Sequence, residues 1–272
     1  MIRDITLGQY YQTDSVVHRL DPRVKLMATL VFNCSLFVVE QAAGYIIAVL
    51  FLAFAIKMSN VPFKFMVRGM RAILFLLVIT FVFNIFLTPG EAVVSVWKLT
   101  VTREGISMAV KMAVRLSLLI IGSSVMTLTT TPNNLTDGLE KALRPLQKLH
   151  VPVHEIAMMM SIALRFIPIL LEETDKIMKA QMARGASFDE GNLLQKAKSM
   201  VPLLVPLFIS AFRRANDLAM AMEARCYRGG DGRTKMKPLH YEKRDYVTYL
   251  ILAVYFAVCI VVGRVIPWGK IL

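Results

Sequence analysis

Five stretches of this sequence, about residues 25 to 39, 42 to 58, 72 to 88, 106 to 131 and 246 to 266, are long apolar runs. Each approaches the roughly twenty apolar residues that a helix needs to cross a bilayer. A backbone in lipid must pair its own polar groups, so such runs fold as helices. Composition agrees: 56% of the 272 residues are hydrophobic and the mean hydropathy is +0.56, more than a soluble core of this length hides. The expected fold class is an all-α integral membrane protein with about five transmembrane helices, residing in the cell membrane with lipid as its solvent. The second and third runs are short, which predicts tilt or local thinning of the bilayer. The N-terminus, "MIRDITLGQYYQTDS", has no apolar core or small-residue cleavage site, so the first run is expected to be retained as an anchor.

The 32 Lys and Arg residues set the orientation. The N-terminal segment carries Arg3, Arg19, Arg23 and, at the start of the first run, Lys25; the connection from the end of the second run carries Lys57, Lys64, Arg68 and Arg71. "EQAAG" after the first run has none, and residues 89 to 105 have Lys98 and Arg103. Eighteen fall between 132 and 245. Basic and sparse sides alternate, which places the N-terminus inside and, after five crossings, the C-terminus outside. The net charge of +13 is thereby explained without a nucleic-acid partner. Lys111 and Arg115, inside the fourth run, fit snorkelling or a late start of the span better than a buried functional pair. The outside segment "VVSVWKLTVTREG" alternates around Trp97 and predicts a short hairpin or interfacial loop, with Thr102 capping the next helix.

Residues 132–245 are too long and too periodic for a loop, and form an expected cytoplasmic domain between a membrane domain (1–131) and a last span (246–272). Its predicted parts are long amphipathic helices. Thr131 should cap the first, with Pro132 at its first position and Pro145 after it. The second runs to Gly185 with a kink near Leu164 caused by Pro168. The third starts at Pro202, bends at Pro206 and stops at Gly229 and Gly230. Both of the last two end on the same phrase: Ala183, Arg184, Gly185, and Ala224, Arg225, Cys226. Aligned on the arginines, Ile177 matches Leu218 and Ala180 matches Ala221, a small-residue ridge suited either to close helix crossing or to a partner's backbone. One arginine in a last turn complements the helix dipole. Two copies point further, because a guanidinium at a helix tip pairs bidentately with carboxylates and never deprotonates.

Other chemistry finds little support. "GGDGRTKM" at 229 to 236 lacks the Gly-Lys-Ser/Thr ending of a phosphate loop. Cys34, Cys226 and Cys259 have no metal or disulfide spacing. His150 and His154 flank Pro152 with no third ligand, so no metal site is assigned. Glu172, Glu173 and Asp175 read as a charged helix face, not as catalytic groups. Asn33 and Asn84 are expected to bond between spans. Nine of the 17 methionines lie in the 132–245 region; they suit either a helical core or a surface that accepts several partners.

"SIALRFIPILLEETDKIMKAQMARGASF" followed by "VPLLVPLFISAFRRANDLAMAMEARCYRGG" closely resembles the transmembrane T component of energy-coupling factor (ECF) transporters, the vitamin and metal importers of prokaryotes. "HRLDPRVKL" at 18 to 26 and "TLTTTPNNL" at 127 to 135 look like that family's other recurring phrases. The resemblance implies crossed coupling helices whose tips dock into grooves on two ATP-binding cassette ATPase subunits. Arg184 then serves one ATPase and Arg225 the other. It also implies a separate, possibly exchangeable, substrate-binding membrane S component. ATP and Mg would be bound by the ATPases, leaving this chain a non-enzymatic scaffold without a cofactor of its own. The second motif departs from Ala-Arg-Gly at Cys226. The alternatives are a T component dedicated to one metal (cobalt or nickel) or vitamin, and a self-sufficient secondary transporter, which would need broken helices or paired intramembrane acids.

Overall fold

The computed structural model describes residues 10–265, apart from 40, 91, 97–98, 187, 189–191, 230–235 and 237. The order is α1 (Pro22–Val38), α2 (Ala42–Ser59), α3 (Phe63–Leu87), β1 (Ala92–Val96), β2 (Leu99–Thr102), α4 (Arg103–Thr129), α5 (Pro132–Leu143), a 3-10 turn (Arg144–Leu149), α6 (Val153–Ala183), α7 (Leu193–Ala224) and α8 (Lys243–Val265). The protein is thus an all-α membrane protein with one small antiparallel hairpin, β1 with β2, in which Val96 faces Leu99. The hairpin expected at 93 to 105 is present; Trp97 lies outside the described residues.

Among the described residues, four helices are long and apolar enough to cross a membrane: Ala42–Ser59, Arg103–Thr129, Val153–Ala183 and the Lys243–Val262 part of α8. The run at 25 to 39 becomes the 17-residue α1, and that at 72 to 88 the apolar part of α3, Ile73–Leu87. Val153–Ala183 was not among the five expected runs. Between Glu155 in its first turn and Glu172 its charged residue is Arg165 alone, and its other acidic residues and its lysines follow from Glu172 on.

Two compact units emerge, Gly8–Ala142 with Leu239–Leu272, and Leu143–Pro238. Helix α5, which the sequence placed at the head of the 132–245 region, therefore belongs with the first unit. Gly138 shows why: a Cβ there would come within 2.8 Å of the Pro22 side chain and 3.2 Å of its backbone, so glycine lets α5 close on the start of α1.

In the first unit the core is aromatic and aliphatic. Phe32 of α1, Phe51 of α2 and Tyr255 of α8 stack, the closest ring centroids 4.1 Å apart. Buried Ser35 shares a 2.8 Å hydrogen bond with the Tyr255 hydroxyl. Asn33 donates to Ser123 Oγ on α4 at 3.3 Å, the interhelical bond expected of it. Asn84 instead donates to the Thr80 carbonyl of its own helix at 2.7 Å, because the i−4 carbonyl is the nearest acceptor and needs no neighbour. Arg115 directs Nε to the Tyr45 hydroxyl at 2.9 Å and another nitrogen to the Val39 carbonyl at 3.3 Å. It ties α4 to the α1–α2 turn, a more specific arrangement than snorkelling.

The two phrases "HRLDPRVKL" and "TLTTTPNNL" meet in one latch. Asp21 caps α1 by accepting from the Arg23 N–H at 2.9 Å, and pairs with the Arg23 guanidinium at 2.8 Å. That guanidinium lies 3.9 Å from the Tyr241 ring centroid. Lys25 donates to the carbonyls of His18 (3.0 Å) and Thr129 (2.8 Å), a cation on the orphan carbonyls that end α4. Asp245, 1% exposed, accepts from the N–H of Asp21 at 3.0 Å and of Glu242 at 2.8 Å, so one carboxylate joins the starts of α1 and α8.

His18 closes the approach to this latch as a neutral ring: Nε2–H donates to the Tyr11 carbonyl at 3.0 Å and Nδ1 accepts from the Ser15 hydroxyl at 2.7 Å. Burial is the largest influence on the ring and holds its pKa below the ordinary 6.5, against hydrogen bonds that raise it. The folded chain thus binds fewer protons here than the unfolded one. This stabilisation is present above pH 6.5 and is lost as pH falls through the lowered folded value. Between pH 8 and 5.5 the detergent-solubilised protein should lose thermal stability, and His18→Gln should flatten that part of the profile.

Candidate docking tips on two long helices

The second unit is dominated by α6 and α7. Helix α6 runs unbroken through Pro168. Helix α7 begins at Leu193, not at Pro202 as expected, because Asn192 and Gln195 form a reciprocal capping box and the helix then carries Pro202 and Pro206 inside it. The two helices pair in opposite directions. Gln181 reaches the Pro202 carbonyl at 3.4 Å, Glu173 pairs with Arg214 at 2.6 Å, and the end of α7 shares a cavity with Met158 to Arg165. Arg184 and Arg225 therefore sit far apart on α6–α7: the nineteen-residue step from Arg165 to Arg184 spans roughly 30 Å at about 1.5 Å per residue.

Both helices end in the same way. Arg184 is the last cap residue of α6; Gly185 follows at φ +88°, with its N–H on the Met182 carbonyl and that of Ala186 on the Gln181 carbonyl, both at 3.0 Å. Arg225 caps α7; Cys226 follows at φ +54°, with its N–H on the Glu223 carbonyl (2.8 Å) and that of Tyr227 on the Met222 carbonyl (3.1 Å). Each is a complete Schellman stop with arginine at the cap and a small residue in the left-handed position. The departure at Cys226 leaves the stop intact. Ala183, Arg184, Gly185, Ala224, Arg225 and Cys226 are all exposed, and among the described residues neither arginine has an ion-pair partner. Ala180 and Ala221 are exposed too, so the small-residue ridge is left open beside each tip and is not the seam between α6 and α7.

A left-handed L-residue costs about 1 kcal/mol relative to glycine. Gly185→Ala should therefore speed hydrogen exchange in the last turn of α6 about fivefold, whereas Cys226→Gly should slow it in α7 by a similar factor.

Other expected groups fall elsewhere. His150 stands at φ +61° after the 3-10 turn, while His154 lies in the first turn of α6. Sequence reasoning missed two arginines. Arg165 and Arg228 line a cavity of about 580 Å³ together with Arg225. The available signal for Arg165 is its position on one α6 face with Ile162 and Met158, one and two turns back.

Several apolar helices and a pair of long helices that end in two matching basic tips define a multispan membrane protein, and comparison with known proteins narrows the class. The family model described as cobalt transport protein (CbiQ) matches residues 13–236. The energy-coupling factor transporter transmembrane protein EcfT of Clostridium kluyveri is 56% identical over 272 residues, covering 99% of this chain and all of the relative. The proteins of the same name from Acidaminococcus fermentans and Lactococcus lactis subsp. cremoris are 50% and 42% identical, each over 99% of this chain and 99% and 100% of the relative. The chain belongs to this family, the T components of energy-coupling factor transporters.

Proposed function

We propose that this chain is the non-enzymatic scaffold of an ATP-driven importer for vitamins, receiving motion from two ATPase subunits at its helix tips and passing it to a substrate-binding membrane subunit. The observation that carries the reading is the pair of matching helix stops, each presenting an exposed arginine with no ion-pair partner among the described residues. Such a group fits an acidic groove on a partner. The nucleotide and Mg would be held by those partners. The unit Leu143–Pro238, which makes up most of the expected 132–245 region, is then the cytoplasmic coupling domain, between the membrane domain and the last span.

A partner also accounts for the apolar surface of this unit. On α7, Val201, Leu204, Val205, Phe208 and Phe212 are exposed at helical spacing, and on α6 so are Met159 and Met160. An exposed apolar stripe of this extent belongs under another subunit or lipid, and methionines suit a substrate-binding subunit that exchanges. A T component dedicated to cobalt is the second reading, favoured by the description of the matching family model.

Purification of the tagged chain from its host should bring down two ATPases and one or several small membrane subunits. Several different membrane subunits support the shared module; one alone supports the dedicated one. Solute uptake by vesicles holding this chain alone would overturn both.

A further inference from the structure

The Arg225 tip differs from the Arg184 tip in what surrounds it. At Gly185 an added Cβ would meet nothing within 4 Å, so Arg184 extends from an open helix end. Arg225 instead opens into the 580 Å³ cavity where α7 ends against α6, and Arg165 and Arg228 line the same space with Ser161. Among the described residues, no acidic side chain lines it. Leu218 and Met222 form its apolar wall. Among the described residues Arg165 and Arg228, like Arg225, have no ion-pair partner, and all three are exposed. Three like charges around one apolar-floored hollow repel each other in the free protein, and an anionic occupant removes that repulsion.

We propose that this cavity is a three-arginine acceptor for a carboxylate-bearing segment of one ATPase, and that Arg165, on the opposite helix from the docking motif, decides which ATPase binds at the Arg225 end. The proposal rests on the docking reading above. The more acidic of the two ATPase grooves belongs here, and the other goes to Arg184. Because Arg165 lies on α6 and Arg225 on α7, an acidic segment seated between them holds both helices at once. Force applied at this tip reaches α6 directly.

The test uses the full-length chain with the two ATPases that co-purify with it, each separately tagged, and measures retention of each over a salt series. Arg165→Ala should weaken one ATPase about tenfold or more and flatten its salt dependence, leave the other within about twofold, and leave the melting temperature of the chain alone unchanged or raised. Arg165→Lys should restore part of the loss, since it keeps the charge without the bidentate fork. Equal loss of both ATPases with a lowered melting temperature would make Arg165 a structural residue and overturn the proposal. So would unchanged retention of both, or loss of co-purified anionic phospholipid alone, which would assign the cavity to a headgroup. Arg225→Glu run alongside separates the two levels. If it releases an ATPase and Arg165→Ala does not, this proposal fails and the docking reading stands; if it releases neither, the docking reading itself fails.

Discussion

Reversing charge at both tips, Arg184→Glu with Arg225→Glu, should abolish ATPase co-purification and solute uptake while the chain remains in the membrane at normal abundance. Truncating one side of a desolvated, hydrogen-bonded charge pair costs about 2–5 kcal/mol. Reversal adds repulsion from the acidic groove, so two sites together exceed what a complex of this kind can lose. Folding should be spared, because both arginines are exposed and have no ion-pair partner among the described residues, and the helix stops are built from backbone bonds. The single reversals should each release one ATPase preferentially. Unchanged co-purification in the double variant would remove the docking reading.

The second large effect is expected at Asp245. Its carboxylate is buried and accepts two backbone N–H groups, those of Asp21 and Glu242. Asp245→Ala leaves both donors unpaired, at about 1–3 kcal/mol each, and unties the start of α8 from that of α1. The melting temperature in detergent should fall by roughly 10 °C, with uptake lost at growth temperature. Asp245→Asn, which keeps one carbonyl acceptor, should fall in between. A melting temperature within about 2 °C of the parent for Asp245→Ala would show that the latch does not hold the membrane unit.

Features written in local sequence were legible. Thr102 accepts from the Gly105 N–H at 3.0 Å, and Thr131 from that of Asn134 at 3.3 Å, as caps before helical runs should. The two arginine tips were readable because a helix stop is a six-residue event. The start of α7 was not: two prolines suggested a beginning at 202, but they sit one turn apart inside a helix already initiated by Asn192. Long-range contacts left no local trace. Asp21 and Asp245 are 224 residues apart, Arg115 and Tyr45 are 70 apart, and Glu173 and Arg214 are 41 apart; in each, the partner is chosen by packing. In the sequence Arg165 is one basic residue among the eighteen between 132 and 245, and its own segment does not reveal that α7 ends beside it.

The most direct test is site-specific cross-linking in native membranes, with a short photo-reactive group placed at Ala183 or at Ala224, the exposed neighbours of the two arginines. The account predicts that each position captures a different ATPase, and that Arg184→Glu or Arg225→Glu in the same chain removes the corresponding product. Capture of lipid alone at both positions, with ATP-driven uptake intact, would contradict it.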